Sequence, residues 1–422
     1  MHIIFFSHYF PPEGNAPASR TYEHCVRWVR AGHDVTVITC VPNVPNGVPY
    51  YGYKNRWRQE ETVDGIRVIR VWTYLAPNAG VKKRVFNFVS YMFAAIGVGL
   101  FVKRPDVVIA TSPQFFCGLA GMVVQAIRRL PFVLEIRDIW PESITAVGAM
   151  KRGRAIQFLE WLEKKMYASA DHIVAVGQGY QKNVISKASP EKVSVIYNGV
   201  DGDKFEPQRP DSVWLKEQGL SGKFVCAYIG TIGLAHGLET VLDAAEMLKS
   251  QGRNDIAFLL VGDGANRIAL EENCCARGLE PWVRFTGRLD KSEMPKVTAS
   301  SDALLVHLKP CDLFQTVIPS KIFEAMAMQR PIIMGVQGES AEIVKRAKAG
   351  IEMEPGNAQA LVDCVTRLCD APELRGQLSS NGRQFVLQEF SRDRFADQFL
   401  ILLDHVIRGQ NVPSGLSVID HP

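Results

Sequence analysis

The stretch Ile318-Pro319-Ser320-Lys321-Ile322-Phe323-Glu324-Ala325 puts a lysine at an electrostatically unfavourable place. Ser320 reads as the N-cap of a helix that Lys321 opens. A cation in a first helical turn opposes the helix dipole. A bound anion would resolve that conflict, because the ammonium and the helix N–H groups could share one phosphate. Glu324 follows one turn later on the same face. A carboxylate there can accept two hydroxyl hydrogen bonds, as a ribose diol offers them. Ser320 and Glu324 are one residue too far apart for a reciprocal capping box, which weakens the purely structural reading.

Three further loops carry groups that could meet a phosphorylated ligand. Ser7 to Ala16 follows a first apolar run and precedes a helical pattern; Gly14 and Asn15 within it would let backbone N–H groups approach an anion. Val261-Gly262-Asp263-Gly264 ends another run, with Gly262 and Gly264 as the small residues. It is also a plain turn sequence. It does not complete a dinucleotide fingerprint, since Arg267 stands at the third glycine position, and no Walker A sequence occurs. Phe285-Thr286-Gly287-Arg288 would leave Arg288 at a strand end, either clamping a diphosphate or solvated.

Glu135-Ile136-Arg137-Asp138-Ile139-Trp140-Pro141-Glu142 crowds four charges onto an apolar strand end. Asp138 could bind an acceptor or assist proton transfer; a simple Arg137–Asp138 ion pair is the alternative. Trp140 offers a face for stacking a sugar, or for packing.

The elements that must position these groups alternate. Apolar runs His2–Ser7, Asp34–Cys40, Arg67–Trp72, Asp106–Thr111, Phe132–Arg137, His172–Val176 and Val193–Tyr197 read as strands covered on both faces, with helical patterns between them. The pattern restarts at Phe224–Ile229, Ile256–Val261, Val283–Thr286, Ala303–Leu308 and Pro331–Val336. The fold class is therefore α/β, with two doubly wound Rossmann-like parallel-sheet domains. Domain one is expected over residues 1–200 and domain two over 215–390. Asn198–Ser221, rich in Gly, Pro and Asp, is the linker; a last helix over 391–408 is expected to return to domain one, with a frayed tail over 409–422. Sheets of this kind bind ligands in a cleft outside their strand C-termini.

The 422 residues suit two domains better than one core. A composition of 47% hydrophobic and 22% charged residues excludes disorder. A net charge of +4 gives no reason to expect nucleic acid. Nine scattered cysteines without a Cys-x-x-Cys pair read as reduced thiols of a cytoplasmic protein. Val85–Val102 is apolar over 18 residues between Lys82-Lys83-Arg84 and Lys103-Arg104. It reads as a buried helix covering the first sheet; a peripheral membrane contact or a span are the alternatives.

With these motifs in this order, the chain resembles the retaining GT-B glycosyltransferases of family 4. The resemblance rests on Gly14 in the first loop, Asn198-Gly199-Val200-Asp201 at the join, Val261–Gly264, Phe285–Arg288, and Glu324-Ala325-Met326-Ala327 followed by Pro331-Ile332-Ile333. Arg137–Glu142 and Pro319–Glu324 look like the WbuB-like branch of N-acetyl-L-fucosamine transferases. The resemblance implies a UDP-sugar donor, a polyprenyl-diphosphate-linked saccharide acceptor in O-antigen or capsule assembly, a position at the cytoplasmic membrane face, and no metal. The chain departs from the family where a sugar-binding Glu is replaced by Thr316, an Arg and Lys by Gly230 and His236, and a cleft His by Arg137. Lys321 and Arg288 are the expected substitutes for the missing cations. The leaving diphosphate would be stabilised by Gly14, Asn15, Arg288, Ser320 and Lys321, and domain closure would bring Asp138 to the acceptor. A UDP-sugar 2-epimerase or a non-catalytic nucleotide-sugar binder are the other classes open to such a chain.

Overall fold

The structure is a computed structural model and describes residues 1–77, 81–112, 114–146 and 153–413. It divides into two compact units. The first comprises Met1–Asn198 and the chain from Arg392; the second is Gly199–Ser391.

In the first unit the strands are β1 (His2–Phe6), β2 (Asp34–Cys40), β3 (Arg58–Val63), β4 (Ile66–Val71), β5 (Val107–Thr111), β6 (Phe132–Ile136), β7 (His172–Ala175) and β8 (Val193–Val195). Their order is β3-β4-β2-β1-β5-β6-β7-β8. Every pairing is parallel except β3 with β4. That antiparallel edge departs from the all-parallel expectation. Strand β3, Arg-Gln-Glu-Glu-Thr-Val, is polar and alternates exposed with half-buried residues, so it offers no apolar run. Its partner is reached through Asp64-Gly65, both at positive φ, the backbone that a tight hairpin turn demands.

The helices of this unit are α1 (Ala16–Arg30), α2 (Val81–Phe101), α3 (Phe115–Arg128), α4 (Glu142–Ala146), α5 (Arg154–Ser169) and α6 (Gln178–Ile185). Helix α2 packs on α3, and α3 on α5, so the three form a layer on one face of the sheet. Helix α2 turns Phe88, Tyr91, Ala95 and Val102 inward, and the Tyr91 hydroxyl donates to Ile38 O at 2.7 Å. Gly99 lets it close on the sheet: a Cβ there would stand 2.7 Å from the Phe6 ring. The expectation of a buried helix therefore holds for one face only, since Phe86, Phe93 and Phe101 are exposed on the other.

The second unit has β9 (Phe224–Ile229), β10 (Ile256–Val261), β11 (Val283–Gly287), β12 (Ala303–His307), β13 (Ile332–Gly335) and β14 (Gly350–Glu352). They are all parallel, in the order β11-β10-β9-β12-β13-β14. Helices α7 (Ser212–Glu217), α8 (Glu239–Ser250), α9 (Arg267–Ala276), α10 (Met294–Ala299), α11 (Lys321–Ala327), α12 (Glu339–Arg346), α13 (Ala358–Asp370) and α14 (Pro372–Glu389) accompany them. The expected linker thus contains a short helix, α7, capped by the Asp211 side chain on Trp214 N–H at 2.9 Å. Strand β14 lies beyond the last expected strand; three half-exposed or exposed residues make no apolar signal.

The last helix, α15 (Arg392–Ile407), belongs to the first unit and packs on α1. Trp28 meets Phe399 edge-on at 5.2 Å and donates its indole N–H to Ala396 O at 3.1 Å. The expected tail is described only to residue 413; residues 414–422 lie outside the described residues.

Candidate active site

In the second unit the loops after β9, β10 and β11 lie against one another. Gly262, at φ 141°, sits so close that a Cβ would fall 1.8 Å from Gly230 O. A Cβ on Gly264 would fall 2.4 Å from Ile232 O. The loops are also tied by Gly230 N–H to Val261 O at 2.8 Å and Gly262 N–H to Gly287 O at 2.9 Å. Close backbone packing thus accounts for glycine at 262 and 264, whatever ligand approaches them. Arg288, the next residue after β11, is exposed and makes no ion pair among the described residues.

Lys321 reaches into this loop stack. Its Nζ lies 4.0 Å from the centroid of the Tyr228 ring, and a Cβ on Gly230 would be only 2.5 Å from it. The Tyr228 hydroxyl donates to Thr231 O at 2.7 Å, which holds the ring beneath the ammonium. No carboxylate forms an ion pair with Lys321 among the described residues. Burial pulls its pKa down to about 8, against the raising influence of Glu324 one turn away. At neutral pH the amine is therefore mostly protonated, partly desolvated and held on an aromatic face.

One sequence expectation changes here. Ser320 has helical backbone angles and makes no side-chain cap. The N–H groups of Phe323 and Glu324 both go to Ser320 O, and that of Ile322 goes to Pro319 O. The ammonium, rather than a row of free helix N–H groups, is left to meet an anion. His236 is no cation either: burial, then the neighbouring Lys321, hold its pKa down at about 4. Its Nδ1 stays 3.3 Å from Gly233 N, and its carbonyl accepts from His307 Nδ1 at 2.7 Å.

An anion held by Lys321 needs the protonated amine. Nucleotide affinity should stay level up to about pH 8. Above that it should fall, approaching about tenfold per pH unit. Titration calorimetry with UDP across this range checks it, and Lys321→Met should flatten the profile.

In the first unit the charged strand end after β6 is built around a pair that the sequence reading did not single out. Glu135, wholly buried, accepts from Arg20 Nε at 2.8 Å and from the Thr111 hydroxyl at 2.6 Å. Arg20 also donates to Ile196 O, Tyr197 O and Asn198 Oδ1, at 2.9, 2.8 and 2.7 Å. One guanidinium thus joins α1, β6 and the exit from β8. Arg137 does not pair with Asp138. Its guanidinium donates to Ala16 O and Pro17 O, both at 3.2 Å. Burial lowers its pKa to about 10, with Glu135 opposing.

Asp138 is half-buried, and its backbone N–H donates to Ser112 Oγ at 3.2 Å. Burial raises its carboxyl above the ordinary range, partly offset by hydrogen bonding from Ser143. Trp140 stacks on Phe115 at 6.2 Å, so packing occupies one of its faces. Asn15 caps α1, its Oδ1 accepting from Ala18 N–H at 2.9 Å, while Gly14 is exposed beside it.

Asn15 also lines a cavity of about 240 Å³ with His8, Asn43, Arg84, Asn87 and Phe88. His8 is 3% exposed, and its Nε2 has no hydrogen-bond partner among the described residues. Burial drops its pKa to about 3, so the imidazole is neutral and suited to a hydroxyl rather than an anion. Sequence reading missed His8; only its place one residue after a predicted strand end could have found it.

Residues 15–199 match the family model described as "Glycosyl transferase 4-like domain", and residues 213–385 that described as "Glycosyl transferases group 1". The chain is similar to the putative colanic acid biosynthesis glycosyl transferase WcaI of Escherichia coli K12, at 25% identity over 95% of this chain and 99% of that protein. It is similar to the probable glycosyltransferase WbjE of Pseudomonas aeruginosa, at 27% identity over 70% of this chain and 74% of that one. Among solved structures, Anabaena HepE in complex with UDP superposes with a TM-score of 0.70 and 18% identity, covering 96% of this chain and 100% of that one.

Proposed function

Taking as premise that the chain is a GT-B glycosyltransferase of the family 4 kind, we propose that it transfers a sugar from a UDP-sugar to a polyprenyl-diphosphate-linked saccharide, with retention of configuration. The second unit holds the donor and the first unit the acceptor. The reaction is a step of O-antigen or capsule assembly at the inner face of the plasma membrane, and the sugar is a 6-deoxy N-acetylated one of the N-acetyl-L-fucosamine kind. The name of WcaI, a putative colanic acid biosynthesis glycosyl transferase, supports the polysaccharide context, and the UDP complex of HepE supports the nucleotide.

The observation that carries this reading is the Lys321 ammonium, partly desolvated, with no ion-paired carboxylate among the described residues, and lodged against the β9 loop. In the reaction the bond from the anomeric carbon to the diphosphate breaks, and negative charge gathers on the leaving oxygens. Lys321 and Arg288 meet that charge, with Ser320, Gly262 and Gly264 lining the path of the nucleotide on the second unit. The acceptor oxygen bonds to the same carbon from the same face, and its proton passes to the leaving phosphate. Asp138 orients the acceptor hydroxyl. The His8 cavity receives a sugar ring of the acceptor, since an uncharged imidazole and three amides offer neutral donors and acceptors there, with the Arg84 cation at its wall.

Glu324 takes the ribose diol. Glu324→Ala should weaken UDP binding by about 1–3 kcal/mol. Calorimetry giving equal affinities for the variant and the parent would remove it from the nucleotide site. The reading as a whole is tested by product formation from a panel of UDP-sugars with a polyprenyl-diphosphate saccharide. Turnover of a UDP-sugar without acceptor would favour an epimerase, and binding without turnover a scaffold.

A further inference from the structure

Helix α2 has two faces of different character. Residues Phe88, Tyr91, Ala95, Gly99 and Val102 face the sheet and α3. The opposite stripe runs Phe86, Val89, Phe93, Ile96, Leu100, Phe101 at helical spacing and carries no polar side chain. Phe86, Phe93 and Phe101 are 68, 65 and 84% exposed, and Val89, Ile96 and Leu100 between them are half-exposed, so exposed aromatic rings recur along a stripe of about 23 Å. Lys83 and Arg84 stand at its start and Lys103 and Arg104 just beyond its end, all exposed; no acidic residue occurs from Val81 to Arg104.

The same layer repeats the motif. On α5, Phe158 and Trp161 stack at 5.8 Å and are 56 and 52% exposed. Arg154, Lys164 and Lys165 are exposed around them. Ile127 at the end of α3 is 62% exposed. Large aromatic side chains with cations at their margins, on one helical layer, match the two demands of a bilayer surface: apolar insertion at the headgroup level and attraction to anionic lipid.

Helix α2 is long and apolar enough to cross a membrane. Its inward face argues against crossing. Tyr91 hydrogen-bonds to β2, Asn87 donates to Tyr74 O at 2.7 Å, and Ser90 accepts from Tyr74 N at 2.8 Å. Extracting the helix would leave those groups and the sheet uncovered.

We propose that the outer face of the α2–α3–α5 layer docks on the surface of a bilayer that contains anionic phospholipid, α2 lying in the interface plane. This deepens the acceptor half of the function above and takes its purpose from it: Arg84, Asn87 and Phe88 belong to the same helix and line the His8 cavity, so docking brings that cavity to the lipid carrying the acceptor.

The test is flotation of the full chain with vesicles of phosphatidylcholine alone or mixed with phosphatidylglycerol, in parallel with UDP affinity. The parent should float with the mixed vesicles and much less with the neutral ones, and added salt should weaken the difference. Phe93→Ser/Phe101→Ser and Lys103→Glu/Arg104→Glu alter exposed side chains away from the cavity. Each pair should cut vesicle binding by roughly tenfold or more while leaving UDP affinity unchanged. Failure of the parent to float despite normal UDP binding overturns the docking and leaves the donor reading standing. Equal flotation of parent and variants overturns the assignment to this face. Resistance of the bound parent to alkaline carbonate would show a span instead. A dimer that the Phe93→Ser/Phe101→Ser pair dissociates, with no vesicle binding, would make the face a contact between copies of the chain and overturn the proposal.

Discussion

Lys321→Ala will lower turnover by roughly one to two orders of magnitude or more, the range for losing one preorganised group that meets charge only as it develops. The folded chain will not suffer for it. Burial already disfavours the ammonium, as its depressed pKa records. The unfolded chain therefore keeps that lysine protonated to higher pH than the folded one does. By linkage, the lysine weakens folding most below about pH 8, and the loss is relieved as pH rises toward the ordinary lysine range. The variant should match or exceed the parent in thermal stability at neutral pH while losing activity. Steady-state kinetics beside a thermal melt separate the two outcomes; unchanged turnover in a folded variant would remove Lys321 from the site.

Arg20→Met has the opposite signature, a stability loss of about 3–5 kcal/mol, since it strands a carboxylate in the interior. Of the Arg20 and Thr111 donors, Glu135 would keep only the Thr111 hydroxyl, and three acceptors at residues 196–198 would lose their donor. Burial presses the Glu135 pKa upward, but Arg20 and Arg137 with the Thr111 bond hold it below the ordinary range. Its contribution is therefore present above the unfolded glutamate pKa and fades as pH falls through the folded one. Denaturant unfolding at neutral and acid pH should show the gap between parent and variant narrowing on acidification. Arg20→Met/Glu135→Gln should recover part of the loss, because the stranded charge is gone.

The fold was legible where burial is two-sided. Strands such as β5 and β6, with every residue buried, read as apolar runs without ambiguity. Strand β3 was not, because an edge strand needs no apolar residues; its only local mark was Asp64-Gly65. Strand β14 failed for the same reason at the other sheet.

At the site, Lys321 could be found from the sequence because its charge opposes its position. Its actual setting on Tyr228, 93 residues away in the chain, could not. The Arg20–Glu135 pair spans 115 residues, and no local pattern announces a contact of that separation. Adjacency in sequence left an Arg137–Asp138 ion pair open as the alternative, and the strand end does not make it, since Arg137 turns to Ala16 O and Pro17 O. Gly262 and Gly264 were read for what could approach them from outside, whereas the tightest demand on them comes from the neighbouring loop.

Helix α15 supplies Phe399 and Ala396 to Trp28, yet about 370 residues of chain separate the two surfaces. During synthesis, α1 therefore emerges long before the helix that covers it. A nascent chain must carry the Trp28 side of its first unit bare through the making of the entire second unit. Completion of the first unit is thus timed by a helix made after the whole second unit, and premature termination ahead of Arg392 would leave an unfinished first unit rather than a shortened enzyme.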